Sequence, residues 1–148
     1  MADAAFVSRR DSAFRQFPPA SAHFAVVLAF YGDLTVWIRR AGAPGWHFPT
    51  SARRSGETIL EVARRELWDS ARVVTTRLDL LGAIRQDLAK PSTAYVYMCD
   101  AQHLPWSYDL PHAVDEVGVF RGPPAQTASP WSRTVLDHAL RARRLGLR

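Results

Sequence analysis

The chain of 148 residues contains very little cysteine and very little lysine. Cys99 is its only cysteine, which excludes an internal disulfide and favours a reducing compartment. The longest apolar run covers residues 25–31 and is too short to cross a bilayer. The first residues also lack the apolar stretch of a secretory signal. We therefore expect a cytoplasmic protein that does not bind a membrane.

The basic charge of the chain is almost entirely arginine, because Lys90 is the only lysine. The formal net charge is +5 and the pI is about 10.1, a balance that favours anionic partners such as nucleotides. The arginines are spread along the chain, and no RNA- or DNA-binding motif accompanies them. A nucleotide substrate is therefore the expected partner, and a nucleic-acid surface is the less favoured interpretation.

The distribution of apolar residues predicts an α/β fold. Residues 23–31 are rich in β-branched and aromatic side chains, and after the Gly32-Asp33 turn residues 34–40 alternate, which predicts a hairpin. Further strands are predicted at 46–49, 73–86 (as one strand or two), 93–101 and 116–120, with helices at 58–70 and 130–144. Residues 1–22 are expected to be a lead-in, 50–55 a polar loop and 102–113 an irregular loop. This order predicts one domain, residues 1–148, with a mixed sheet between helices.

Glutamate is scarce and concentrated in the first predicted helix. Of four glutamates in the chain, three are Glu57, Glu61 and Glu66. Glu66, Asp69 and Ser70 fall on one helical face, where their oxygens are the hard ligands that Mg²⁺ and Mn²⁺ prefer. Thr58 followed by Glu61 is typical of a helix N-terminus. The alternative is an ordinary solvated helix with ion pairs between neighbouring turns.

Residues 51–73 resemble the signature of the Nudix hydrolases. Glu57 is followed, after seven residues, by Arg65-Glu66-Leu67-Trp68-Asp69-Ser70-Ala71-Arg72-Val73, which matches the frame of that signature without a gap. The preceding WHFP, residues 46–49, is similar to the family's entry to the signature, and the resemblance extends over residues 23–143. It implies a Nudix-like α/β/α sandwich with a mixed β-sheet and hydrolysis of a diphosphate by water with divalent cations.

The resemblance also assigns roles to residues of the predicted helix. It implies that Glu66 binds metal and helps to form the base, that Asp69 and Glu57 assist as metal ligands, and that Arg65 is the orienting catalytic residue. A further metal ligand is expected from Glu116 or its neighbour Asp115.

Several positions depart from the family pattern. Thr50-Ser51 replace two glycines, Ser70 replaces a glutamate that is usually a principal metal ligand, and Arg72 replaces the closing glycine. We therefore expect a weakened metal site.

The function expected from these residues is hydrolysis of a nucleoside diphosphate-linked substrate, with a nucleoside triphosphate as the leading substrate and Mg²⁺ or Mn²⁺ as cofactor. Trp46, Arg53 and Arg54 are the candidate substrate-binding residues, with core packing of Trp46 and a solvated arginine pair as the alternatives. His47 is the one histidine beside the expected cleft. A non-catalytic Nudix-fold module that binds a nucleotide or a protein stays open, as does a homodimer.

Overall fold

The computed structural model describes residues 3–40, 42, 44–75, 77–87, 92–102, 114–127 and 129–146. Its strands are β1 (Asp3–Ser8), β2 (Phe24–Tyr31), β3 (Leu34–Arg40), β4 (Thr50–Ala52), β5 (Asp79–Asp87), β6 (Ser92–Asp100) and β7 (Val114–Phe120), and its helices are α1 (Ile59–Ala71) and α2 (Ser132–Arg144). Neither of these helices is long and apolar enough to span a membrane.

The strands form one mixed sheet in the order β1-β5-β6-β2-β3-β7, and β4 also pairs with β2. Strands β2 and β6 run parallel, whereas the other pairs are antiparallel. The mixed sheet expected from the sequence is therefore present.

Strand β2 lies at the centre and supplies both hydrophobic cores. Side chains alternate across a strand, so Ala25 and Val27 pack in the core beneath α1, while Val26 and Leu28 pack in the core beneath α2. The continuous apolar run of β2 follows from this position, because a strand covered on both faces has no exposed side to be polar. The result is the predicted α/β/α sandwich.

The first 22 residues are not merely a lead-in, because they contain β1. This strand pairs with β5 along its whole length, from Asp3 opposite Asp87 to Ser8 opposite Gly82. Phe6 packs against the core beneath α2, and Val7 packs against the core beneath α1. Phe6 and Val7 are the only large apolar residues of β1. They are too few to give the apolar alternation by which a strand is recognised in a sequence.

The segment after β3 also differs from the prediction. Residues 46–49 form only isolated bridges, through His47 to Ile38 and through Trp46 to Thr127, and the regular strand is β4 within the predicted polar loop. Strand β3 pairs with β2 only at residues 30–31 and then follows β7. The β2 edge that this leaves free pairs with β4, which satisfies its backbone groups.

Other boundaries differ by smaller amounts. The stretch predicted at 73–86 contains one strand, β5, whose pairing with β6 shifts register between Leu80 and Gly82. Helix α2 begins at Ser132, two residues after the proline expected to open it. Of the loop predicted at 102–113, residues 103–113 lie outside the described residues.

Helix α1 has a well-defined end at each side. The Thr58 hydroxyl accepts a hydrogen bond from the Glu61 backbone N–H at 3.2 Å, which confirms the predicted N-cap. At the other end Arg72 adopts a left-handed conformation, with φ 54°, and its N–H bonds to the Trp68 carbonyl. This is the position of the family's closing glycine, and Arg72 is the only non-glycine residue with positive φ in the described part of the chain.

We predict that replacing Arg72 with glycine relieves backbone strain at the end of α1. The matched control is Arg72→Ala, which keeps the Cβ but removes the bond to the Trp68 carbonyl and the guanidinium contact with the Trp68 ring. The glycine variant should exceed the alanine variant by about 1 kcal/mol in free energy of unfolding, measured with urea. Equal stability of the two variants would contradict the strained conformation.

Candidate functional site

Helix α1 presents two polar side chains toward the sheet. Glu66 and Ser70 are separated by one helical turn, and each is only 3% exposed. They lie on the packed side of the helix with Val62, Ala63 and Leu67, which belong to the core beneath α1. Because a buried carboxylate is unfavourable without partners, Glu66 requires neighbours that satisfy it.

Glu66 finds these partners in Arg40 and Ser70. Arg40, the last residue of β3, donates through Nη2 to Glu66 Oε1 at 2.9 Å and to the Thr50 carbonyl at 2.7 Å. The Ser70 hydroxyl donates to the same Glu66 oxygen. Burial raises the pKa of Glu66, although the bonds from Ser70 and Arg40 act in the opposite direction. The structure therefore joins α1, β3 and β4 at one carboxylate.

A second ion pair fixes the start of α1. Arg65 binds Glu57 with a fork of two bonds, from Nε to Oε2 at 2.8 Å and from Nη2 to Oε1 at 3.0 Å. Arg65 also donates to the Ser51 hydroxyl at 3.2 Å and to the Ala52 carbonyl at 3.0 Å. The bonds from Arg65 and from the Arg54 backbone N–H lower the pKa of Glu57 to about 2. Arg65 thus ties the helix to β4.

Thr50 and Ser51, which replace the glycine pair of the Nudix signature, form hydrogen bonds through their hydroxyl groups. Thr50 and Ser51 lie in β4 without positive φ, so their backbone does not need the conformational freedom of glycine. The Thr50 hydroxyl donates to the Phe48 carbonyl at 2.9 Å, and Ser51 accepts the bond from Arg65. The positive φ in this region belongs to Gly56, with φ 85°, directly before Glu57.

The remaining candidate metal ligands whose side chains the structure describes, Asp69 and Glu116, are not bonded to Glu66 as Arg40 and Ser70 are. Asp69 is about half exposed, and its Oδ2 lies 3.9 Å from Arg65 Nη1. Glu116 pairs with Arg39 on β3. Its strand neighbours Val117 and Val119 pack on the α1 side, so Glu116 projects from the opposite face of the sheet. The Asp115 side chain lies outside the part of the chain that the structure describes.

Glu66 and Asp69 are the residues of α1 that would hold a divalent ion, but they do not form a preformed cage. Among the described residues, no group of three or more His, Cys, Asp or Glu side chains is arranged to hold a metal. Glu66 and Asp69 nevertheless lie on neighbouring turns of α1, and both bonds to Glu66 end on Oε1, which leaves Oε2 for a cation. Mg²⁺ is commonly held by one or two carboxylates, with substrate phosphates and water completing its shell.

Arg40 also forms part of the wall of a cleft of about 370 Å³. Its floor is apolar, with Val26 and Ile84 from the core beneath α2, and aromatic surface comes from Phe24 and Trp131. The lining residues are Phe24, Val26, Arg40, His47, Thr50, Ile84, Gln86, Ala94, Ser129 and Trp131. An apolar cleft with a few polar groups is typical of small-molecule sites.

Two residues of this wall, His47 and Trp131, carry polar ring nitrogens. Burial lowers the pKa of His47, whose Nδ1 lies 3.1 Å from the Phe48 carbonyl. Because a carbonyl only accepts, the neutral ring carries its proton on Nδ1, and Nε2 remains an acceptor. The buried indole N–H of Trp131 has no hydrogen-bond partner among the described residues. A buried donor without a partner is rare in folded proteins.

The candidate substrate-binding residues lie outside the lining of this cleft. Trp46 packs edge-on against Phe120, with ring centroids 5.0 Å apart. Arg53 donates to the Ala20 carbonyl at 2.7 Å, and Arg54 is exposed. The sequence interpretation selected His47 but missed Arg40, Phe24 and Trp131. Arg40 carries no motif, and only its position at the end of β3 brings it to the site.

Comparisons with known proteins support the fold more strongly than the activity. A scan against known protein families finds no match. An RNA pyrophosphohydrolase of Psychrobacter sp. (strain PRwf-1) is 32% identical over 62 residues, which cover 42% of this chain and 36% of that protein. The similarity thus spans only about a third of that relative's length.

Solved structures extend the likeness over almost the whole chain. The Bacillus subtilis pyrophosphohydrolase superposes with a TM-score of 0.74 at 16% identity, covering 98% of this chain and 90% of that one. The Nudix domain of Shewanella oneidensis NrtR, solved with ADP ribose, gives a TM-score of 0.63 at 18% identity, covering 93% and 94%. The chain therefore has the Nudix fold, which confirms the fold expected from residues 51–73.

We predict that the Glu57–Arg65 pair stabilises the protein only while Glu57 is ionised. Its pKa is about 2 in the folded chain against 4.5 ordinarily, so the contribution is present above pH 4.5 and is lost as the pH falls toward 2. The difference in free energy of unfolding between the wild type and Glu57→Gln should therefore shrink over that interval. The control Glu61→Gln changes a glutamate that instead accepts from the Thr58 hydroxyl. A wild-type-to-Glu57→Gln difference independent of pH would contradict the assignment.

Proposed function

We propose that the protein is a Nudix-type pyrophosphohydrolase that cleaves a phosphoric anhydride bond in a nucleoside diphosphate-linked substrate. The leading substrate is a nucleoside triphosphate, either free or at the end of an RNA chain. The observation that carries this proposal is the position of Glu66, buried on α1 and bonded to an arginine that lines an aromatic cleft. The Nudix fold and the similarity to an RNA pyrophosphohydrolase support it.

The cleft accounts for recognition of the nucleotide. Phe24 and Trp131 supply aromatic surface against which a base can stack. Neutral His47 offers an acceptor for the polar edge of the base. Arg40 lies in the same wall and attracts the phosphates, so the anhydride is brought beside α1.

Glu66 is the group that handles the proton in this proposal. A water molecule attacks one phosphorus atom, the bond from that phosphorus to the bridging oxygen breaks, and Glu66 accepts the proton that the water loses. A divalent ion bound by Glu66 and Asp69 with the substrate's phosphates would polarise the anhydride. Arg40 offsets charge that builds on the phosphate oxygens.

A second candidate function is nucleotide binding without turnover. Ser70 contributes no negative charge to the helix, and one oxygen of Glu66 is already bonded by both Ser70 and Arg40. These contacts favour a site that holds a ligand but positions a cation weakly. The NrtR Nudix domain was solved with ADP ribose, which is a precedent for nucleotide binding by a protein of this fold.

We also propose the cytoplasm as the location. Cys99 is buried and burial raises the pKa of its thiol to about 12, which favours a structural role for the reduced side chain.

Release of phosphate and pyrophosphate distinguishes the two candidate functions. The substrate panel contains nucleoside triphosphates, dinucleoside polyphosphates, nucleotide sugars and RNA with a 5′ triphosphate, each with Mg²⁺ and with Mn²⁺. We expect metal-dependent turnover that falls by at least about a hundredfold in Glu66→Gln. The control Asp137→Asn removes an exposed carboxylate from α2 and should leave turnover unchanged.

Absence of turnover from folded protein across the panel would reject the hydrolase and leave the binding module. Turnover that survives in Glu66→Gln would reject the role of this residue.

A further inference from the structure

We propose that Arg40 takes the place of a bound cation in this cleft, so that the protein holds nucleotide phosphates without any divalent metal. This inference deepens the proposed function and concerns the same site. It separates binding from turnover: Arg40 supplies the positive charge for binding, and a metal is needed only for the reaction. The phosphates of a nucleotide are the ligand class, and pyrophosphate is the smallest probe.

The first observation is that Arg40 is held rigidly by other groups. One of its nitrogens, Nη2, donates both to Glu66 Oε1 at 2.9 Å and to the Thr50 carbonyl at 2.7 Å. A guanidinium fixed at one end loses little conformational freedom when a ligand binds the other end. The charge of Arg40 is therefore already positioned before a nucleotide arrives.

The second observation is that Arg40 has donors to spare. A guanidinium carries five N–H groups, and the bonds to Glu66 and Thr50 both come from Nη2. The side chain is 31% exposed and lines the cleft, so its other donors can reach a ligand there. Two parallel bonds from a guanidinium to a phosphate are among the strong charge-assisted contacts of proteins.

The third observation is the low negative charge around Arg40. Among the described residues, Glu66 is the only acidic side chain that bonds Arg40, and the cleft lining contains no Asp or Glu. Ser70 stands where a second carboxylate is expected from the resemblance, and it donates a neutral hydrogen bond. The one negative charge, on Glu66, is balanced by the positive charge of Arg40. A bound polyphosphate therefore meets no cluster of carboxylates whose repulsion a metal would have to offset.

The arrangement also predicts that Glu66 competes with the ligand for Arg40. Removing the charge of Glu66 while keeping its shape should strengthen the electrostatic attraction between Arg40 and a bound phosphate. Glu66→Gln is therefore expected to abolish turnover and yet to bind nucleotide more tightly when metal is absent. This pair of opposite effects does not follow from a site in which a metal bound to Glu66 holds the phosphates.

Isothermal titration calorimetry with excess EDTA tests the proposal. The probes are pyrophosphate and the four common nucleoside triphosphates, and the same titrations are run with Mg²⁺. We expect at least one probe to bind in EDTA, with a Kd within about threefold of the value in Mg²⁺, and to bind Glu66→Gln more tightly. Arg40→Lys keeps the charge but loses the planar fork, and should weaken binding in EDTA by about tenfold or more.

Controls separate a local effect from unfolding. Arg40→Met leaves Glu66 buried and unpaired, so the double variant Arg40→Met/Glu66→Gln is included to remove that charge as well. It should be folded and should not bind in EDTA. Arg39→Met is the matched control, because Arg39 precedes Arg40 on β3 but pairs with Glu116 and is absent from the cleft lining. Its affinity in EDTA should equal that of the wild type.

The outcomes also separate this proposal from the hydrolase itself. Binding that needs Mg²⁺, no binding of any probe, or equal binding in EDTA by the wild type and the double variant would each overturn the role of Arg40. Metal-free binding through Arg40 without turnover would support the inference and reject the hydrolase. Metal-dependent turnover without metal-free binding would support the hydrolase and reject the inference.

Discussion

A buried carboxylate must be paired, and the pairing of Glu66 with Arg40 is the constraint on which the rest of this site depends. Glu66 is 3% exposed on the packed face of α1, where an isolated negative charge would be strongly destabilising. Arg40 reaches it from the end of β3 and bonds the Thr50 carbonyl of β4 with the same nitrogen. One guanidinium therefore sets the position of the helix relative to two strands.

The same ion pair connects packing with chemistry. On the helix side, the bonds from Arg40 and Ser70 limit the rise in the pKa of Glu66 that burial causes. Away from Glu66, the Arg40 side chain forms part of the cleft wall together with Phe24 and Trp131. The Glu57–Arg65 pair repeats this principle, with Arg65 next to Glu66 in the chain, and ties α1 to β4. The two arginines thus hold the two glutamates in place.

The sequence predicted the features whose causes are local. The N-cap of Thr58 and the apolar strand β2 each follow from spacing within a few residues. The predicted common face of Glu66, Asp69 and Ser70 is divided in the structure, because Glu66 and Ser70 are buried with the apolar residues of α1 whereas Asp69 is about half exposed. Features that depend on distant partners were missed. Strand β1 is defined by its pairing with β5, β4 by the edge that β3 leaves free, and Arg40 by a glutamate 26 positions later.

The most direct test of the central claim is a double-mutant cycle on the free energy of unfolding, with Arg40→Met, Glu66→Gln and the combined variant. If the two side chains stabilise the fold as a buried pair, the single changes are not additive, and the coupling energy is at least about 1 kcal/mol. The combined variant is then more stable than the sum of the single losses implies. A coupling energy within about 0.3 kcal/mol of zero would contradict the account, because it would mean that Arg40 and Glu66 contribute independently.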